Sequence, residues 1–287
     1  MITISVKRGM TLRAQWLGRQ LRELRESAGL LLKDAGEHLG KDGTTVSRYE
    51  AGLIPARPDD VRALLDLYGV ADKAQRDALL ALAKDVWQLG WWDNYTGNLA
   101  QNIVDYAWLE SRARRIRSFE VSVVFGLLQT PAYMSAVIRG ADPTATISTS
   151  GARFRLKRQE ILATPDPPQI EAIIDESVLY RAPGGPAVLE EQLRHLIKLA
   201  AYPNIELRVL PFSATTFASP EGSFLIFEMP EPYPEIGYAD TPAGSIYIEA
   251  NGVQQLMLKY DRIRRDCLDS AESIELIRAT ADKLARS

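Results

Sequence analysis

The 287-residue chain has one cysteine and two histidines. A lone Cys267 excludes an internal disulfide, so nothing points to an oxidising compartment. Structural zinc takes four Cys or His ligands, and Cys267, His38 and His195 cannot supply them. Phosphate-loop chemistry is missing too: Gly184-Gly185 lacks the Lys-Ser/Thr that would follow, and reads as a turn before a helix. No serine sits in a Gly-x-Ser-x-Gly elbow. No metal, cofactor or catalytic residue is therefore expected. Long apolar runs are scarce. Residues 121–138 are uncharged, but Ser122, Gly126, Gln129, Thr130, Pro131 and Ser135 dilute them, which predicts buried strand plus turn. Residues 1–10 carry Lys7 and Arg8 with no apolar run behind them, so neither a signal peptide nor a membrane anchor is expected. The expectation is a cytoplasmic protein.

What is present is a globular composition, 46% hydrophobic and 25% charged, enough for a sizeable core in one large or two ordinary domains. The net charge of −3 hides an asymmetry. Residues 1–58 hold ten Lys and Arg against six acids, +4, and the remainder holds 24 against 31, −7. A basic head on an acidic body fits a small nucleic-acid-binding module joined to a larger domain.

The first ninety residues read as five short helices. Leu17, Leu21, Leu24 and Ala28 form one apolar stripe, with Arg19, Arg22, Glu23, Arg25 and Glu26 on the other faces and Gly29 as the stop. A short helix over 32–39 ends at Gly40, and Asp42 is placed to cap the next, over 43–51. Asp59 and Asp60 open a fourth before Gly69, and a fifth runs over about 72–87. Beyond Trp92 the texture is mixed. Strands are expected over 121–125, 169–174, 205–210, 223–228 and 245–249, with helices over 153–162, 186–201, 253–268 and 273–285. Residues 142–151 read as a loose loop. The expected architecture is an all-α five-helix domain over 1–88 followed by a mixed α+β domain over 89–287.

The informative segment is 35–52. Two helices meeting at a near right angle need a tiny residue where their backbones approach, which Gly36 supplies. The turn needs a residue tolerating φ > 0, which Gly40 supplies. Leu39, Val46 and Tyr49 would face inward. Thr44, Thr45, Ser47 and Arg48 would face outward, short hydrogen-bonding side chains with one long cation, as reading a DNA major groove requires.

Ser47-Arg48-Tyr49-Glu50-Ala51-Gly52, with Leu17-Gly18-Arg19-Gln20-Leu21-Arg22-Glu23-Leu24-Arg25 upstream, resembles the Xre/lambda-repressor-like helix-turn-helix proteins. The resemblance implies a lambda-repressor-like fold and DNA contacts from Lys41, Gly43, Thr44, Thr45, Ser47 and Arg48. The chain departs from the family pattern in three places. Leu32 stands where a phosphate-contacting Gln is frequent, and Lys41 where an apolar residue is common, which would put it in solvent near the DNA backbone. Gly43 falls at a base-reading position with no side chain. Arg48 would carry the largest share, to guanine or to phosphate, while Glu50 reads as structural.

The remainder resembles the C-terminal domain of unknown function of an actinobacterial regulator family. Phe119-Glu120, the 126–133 segment, Arg158-Gln159-Glu160-Ile161-Leu162, the 174–179 segment, 192–196 and 203–212 carry that likeness. It implies a transcriptional regulator, often encoded beside a small partner protein, and supplies neither ligand nor catalytic residues.

Other residues attract attention. Asp175-Glu176-Ser177 with His195 reads as an acidic strand end and a helix-surface histidine. Arg112, Arg114, Arg115 and Arg117 read as a solvated helix face, and Trp87, Trp91, Trp92 and Trp108 as packing at a domain junction. The expected protein is a sequence-specific regulator that binds double-stranded DNA as a homodimer on an inverted repeat. Its second domain would sense a small molecule or bind a small partner protein. The alternatives are a partner-sequestered protein whose second domain is purely a protein-binding module, or an enzyme fused to the reader.

Overall fold

A computed structural model of the chain describes residues 11–88, 90–95, 101–141, 149–214, 222–241 and 244–286. Its contacts divide it into two units: residues 1–108 with 231–233, and residues 109–230 with 234–287. The division expected after residue 88 falls at the end of the fifth helix. Residues 1–10 and most of the loop expected over 142–151 lie outside the described residues, and 149–151 open a helix.

Residues 11–88 of the first unit form five α-helices, as the residue spacing predicts: α1 (Leu12–Ser27), α2 (Leu32–His38), α3 (Gly43–Glu50), α4 (Pro58–Leu67) and α5 (Lys73–Trp87). Local chemistry starts each one. Thr11 and Asp72 accept backbone N–H groups of α1 and α5, and Pro58 with Asp59 and Asp60 occupies the first turn of α4. Leu17, Leu21, Ala35, Val46, Val61, Leu64 and Leu65 are buried in one core. The stripe on α1 differs from expectation in its last turn. Ala28 is exposed, whereas Arg25 is buried because it finds a carboxylate on α3. Trp87 donates to the Ala56 carbonyl (2.9 Å), Trp108 meets Trp16 edge-on at 5.8 Å, and Trp91 packs on Trp92, all inside this unit.

α6 (Gln101–Arg112) leads into the second unit. Here six strands form one mixed sheet: β1 (Arg115–Glu120), β2 (Gln169–Asp175), β3 (Ile205–Leu210), β4 (Phe224–Glu228), β5 (Ile236–Thr241) and β6 (Gly244–Ile248). Their order is β3-β2-β1-β4-β5-β6, with β1, β2 and β3 parallel and the other pairings antiparallel. Parallel neighbours need crossovers. α7 (Pro131–Ala141) and α8 (Thr149–Gln159) link β1 to β2, and α9 (Pro186–Leu199), entered through Gly184 and Gly185 at positive φ, links β2 to β3. One sheet face, with Phe119, Ile173, Leu210, Phe224 and Ile226, packs on Val253, Tyr260 and Ile263 of α10 (Asn251–Asp266). α11 (Ser270–Leu284) closes the β3 edge, where the Val209 N–H donates to Ser273 Oγ at 2.9 Å.

Three expectations are corrected here. The strand expected over 121–125 lies six residues earlier. Arg115 and Arg117 occupy β1, where Glu171 on β2 and Glu228 on β4 neutralise them. They are therefore strand residues and not a helix face, although Arg112 does end α6. Residues 121–130 instead form irregular chain with a short 3-10 turn, buried through Val124, Phe125, Leu127 and Leu128. Pro131, expected within strand plus turn, occupies the first turn of α7, where its missing N–H costs nothing. α6, α7 and β5 had no counterpart among the expected elements.

Candidate nucleic-acid interface

The helix-turn-helix is built from backbone proximity. A Cβ at Gly36 would lie 2.8 Å from the Asp42 carbonyl carbon and the Gly43 nitrogen, so only glycine lets α2 meet the start of α3 this closely. Gly40 turns the chain at φ 61°, and the Lys41 N–H closes the turn on the Gly36 carbonyl at 2.9 Å. Asp42 then caps α3, accepting the Thr45 N–H at 2.7 Å and the Thr45 hydroxyl at 3.1 Å. Gly18 seats α1 against the other end of α3, where an added Cβ would stand 2.5 Å from the Tyr49 and Glu50 carbonyl oxygens.

Two polar locks fix α3 from within. Arg25 grips Glu50 with two bonds, Nε–Oε1 at 2.6 Å and Nη2–Oε2 at 2.9 Å, while its Nη1 donates to the Leu30 carbonyl at 2.7 Å. The hydrogen bond to Glu50 raises the Arg25 pKa further above its ordinary value. In the second lock Lys41 and the Tyr49 hydroxyl both donate to Asp60 Oδ2, at 2.5 and 2.8 Å. Burial works against the Lys41 charge, but its bonds to Asp60 and Tyr49 outweigh that and raise its pKa.

The expected contact residues thus occupy different settings. Thr44 and Arg48 are exposed, and the Arg48 guanidinium makes no hydrogen bond or ion pair among the described residues. Gly43, Thr45 and Ser47 are half-buried, with the Thr45 hydroxyl engaged by the cap. Lys41, expected in solvent, is half-buried and bound to Asp60 on α4. Val46 and Tyr49 face inward as expected, while Leu39 is only half-buried. Glu50, buried against Arg25, is structural as expected. In the sequence Asp60 reads only as a residue opening the fourth helix, because it lies nineteen residues from Lys41, beyond any local spacing signal.

In the second unit the resembling segments hold one another in place. The Gln192 amide accepts the Thr130 N–H (2.6 Å) and donates to the Leu128 carbonyl (2.8 Å), while Arg158 makes a bidentate pair with buried Glu110 at 2.6 and 2.7 Å. Asp175 caps the following turn, and its Oδ1 accepts from the Ser177 N–H and hydroxyl. Glu176 accepts from the Phe212 N–H at 2.7 Å. No hydrogen bond among the described residues joins His195 to Asp175, Glu176 or Ser177, so they do not assemble as a nucleophile and base. No group of three or more Cys, His, Asp or Glu residues fit to hold a metal occurs among the described residues. None of their helices is long and apolar enough to cross a membrane.

Two helices joined by a glycine turn, the second capped and carrying an arginine that is exposed and unpaired among the described residues, define a helix-turn-helix domain, the architecture of a DNA-binding regulator. Residues 16–79 match a family model described as a helix-turn-helix domain. Residues 103–279 match the model described as Domain of unknown function (DUF5753), which spans more than half of the chain, and the chain belongs to that family. No curated protein and no solved structure gives a significant match.

Proposed function

We propose that the chain is a sequence-specific transcriptional regulator of the Xre/lambda-repressor-like, actinobacterial type, acting in the cytoplasm. Residues 1–88 read double-stranded DNA through the exposed face of α3, and residues 89–287 form a regulatory, non-catalytic domain that senses a small molecule. The observation that carries this reading is Arg48: exposed, charged and, among the described residues, unpaired on a helix whose inward side is held by Glu50 and Tyr49. Thr44, Ser47 and the backbone at Gly43 flank it, with Thr45 contributing its methyl group. Lys41 enters as a brace whose charge Asp60 already balances, and adds less to DNA affinity than its sign implies. One such helix contacts too few base pairs for high affinity, so two copies reading an inverted repeat complete the site.

The test is selection of bound fragments from random duplex DNA by the full chain at stated physiological salt, followed by titration of the selected site. An enriched inverted repeat is expected, and Arg48→Ala should cost about 1–3 kcal/mol on it. A loss confined to one base pair makes Arg48 a base reader, and an equal loss on every sequence makes it a phosphate contact. No enrichment, together with unchanged affinity of Arg48→Ala, would overturn the assignment. A small partner protein that co-purifies from the native host and blocks binding would replace small-molecule sensing with sequestration.

A further inference from the structure

The second unit contains a cleft of about 450 Å³, within the range of small-molecule sites. It opens where α9 ends and β3 begins. Leu127, Leu162, Leu199 and Pro203 make its apolar lining, and Tyr202, half-exposed, also borders it. Its polar groups are three. The Gln159 amide nitrogen spends its two hydrogens on the carbonyls of Gly126 (3.1 Å) and Gln129 (2.7 Å). Its orientation is therefore fixed, and its oxygen accepts no bond among the described residues. Asn204 is held likewise: its amide nitrogen donates to the Pro168 carbonyl at 3.0 Å, and its oxygen has no protein donor among the described residues. The His195 ring makes no hydrogen bond among the described residues.

The charges present decide what can enter. Among the described residues, no Lys, Arg, Asp or Glu lines the cleft. Desolvation by burial, with Lys198 nearby, lowers the His195 pKa below its ordinary 6.5, against a smaller pull from Glu191. The imidazole is then neutral at physiological pH. A phosphate or carboxylate would find no cation in the lining, and an ammonium no carboxylate there, so either would lose hydration without a partner in contact. An uncharged molecule loses no such energy, and a hydroxyl or amide N–H on it would satisfy the two amide oxygens.

We propose that this cleft binds an uncharged, largely apolar small molecule bearing hydrogen-bond donors, of the class of hydroxylated aromatics. The inference gives the sensing function a site and rests on that reading only for its consequence at DNA.

The test uses the full chain with ring-labelled histidine, whose NMR spectrum contains only His38, exposed on α2, and His195. The probes are 4-ethylphenol and its anionic counterpart 4-ethylbenzoate, matched in shape. For fragments this small a dissociation constant of about 1–10 mM is expected. 4-Ethylphenol should shift His195 saturably and leave His38 unmoved, while 4-ethylbenzoate should bind at least about tenfold more weakly, the loss that an uncompensated charge imposes. Ala163 is exposed at the cleft, so Ala163→Trp fills it with little risk to the fold, and should weaken 4-ethylphenol at least about tenfold by occupying its volume. Equal binding of both probes, no saturable shift, or unchanged binding to Ala163→Trp would overturn the proposal. DNA selection is read separately. An enriched operator without cleft binding refutes only the cleft, and cleft binding without an operator refutes only the DNA reading.

Discussion

Replacing Glu50 by Gln keeps the shape of the side chain and removes the charge that Arg25 was buried to meet. The side chains of Arg25 and Glu50 are 9% and 6% exposed, so water cannot substitute for the lost carboxylate. An exposed ion pair in this place would contribute about 0–1 kcal/mol. Breaking a buried one costs about 3–5 kcal/mol, because the remaining charge stays desolvated. The Leu30 carbonyl retains one guanidinium bond and Glu26, 3.5 Å from Nη2, a weak second carboxylate contact, which favours the lower end of that range. All five tryptophans, at 16, 87, 91, 92 and 108, lie in the first unit, so intrinsic fluorescence during urea unfolding follows that unit alone. Glu50→Gln should lower the midpoint by an amount equivalent to about 3 kcal/mol. The double replacement Arg25→Met with Glu50→Leu should recover most of this loss, since no orphaned charge remains. A loss under about 1 kcal/mol in Glu50→Gln would show the pair to be solvated and refute the reasoning. A double variant as damaged as the single one would assign the cost to packing instead.

Two further outcomes follow from the same geometry. Burial holds the Glu120 carboxyl protonated up to about 8, against a smaller opposing hydrogen bond from Ser223. The folded chain keeps this proton to higher pH than the unfolded chain. The stability it permits is thus complete below about 4.5 and is lost as pH rises through 8. Melting by calorimetry should show a decline of up to about 1.4 kcal/mol per pH unit across that window, absent in Glu120→Gln; equal slopes in both proteins would remove Glu120 as the cause. Gly36→Ala forces a Cβ to 2.8 Å from backbone atoms and should cost about 1–3 kcal/mol with loss of DNA binding. Gly40→Ala meets nothing within 4 Å and should cost only its φ penalty of about 1 kcal/mol, so equal losses in urea unfolding would contradict the close approach.

How far the residues speak for themselves depends on how far away their partners lie. The turn at Gly40, the cap at Asp42 and the inward Val46 and Tyr49 are settled within a few residues, and the 35–52 segment states them directly. The five helices over 11–88 are legible for the same reason, as are β2, with its apolar Ala172-Ile173-Ile174 run, and β3, where Ile205, Leu207 and Val209 alternate with Glu206 and Arg208 as a strand with one buried face requires. Arg25 and Lys41 are different. Each reads as a surface cation until a carboxylate arrives from another helix, 25 or 19 residues along the chain. β1 was hidden in the same way, since Arg115 and Arg117 look like a solvated basic cluster without Glu171 and Glu228 to neutralise them. The cleft draws on residues from 127 to 204, and its selectivity comes from amide hydrogens spent elsewhere. The sequence by itself determined the helices, their caps and the turn that makes a helix-turn-helix, because propensity, capping and glycine conformation act over one or two turns of chain. Tertiary structure alone decided which charges are buried, where the sheet begins and what the cleft can accept, because desolvation and pairing depend on distant segments brought within hydrogen-bonding reach.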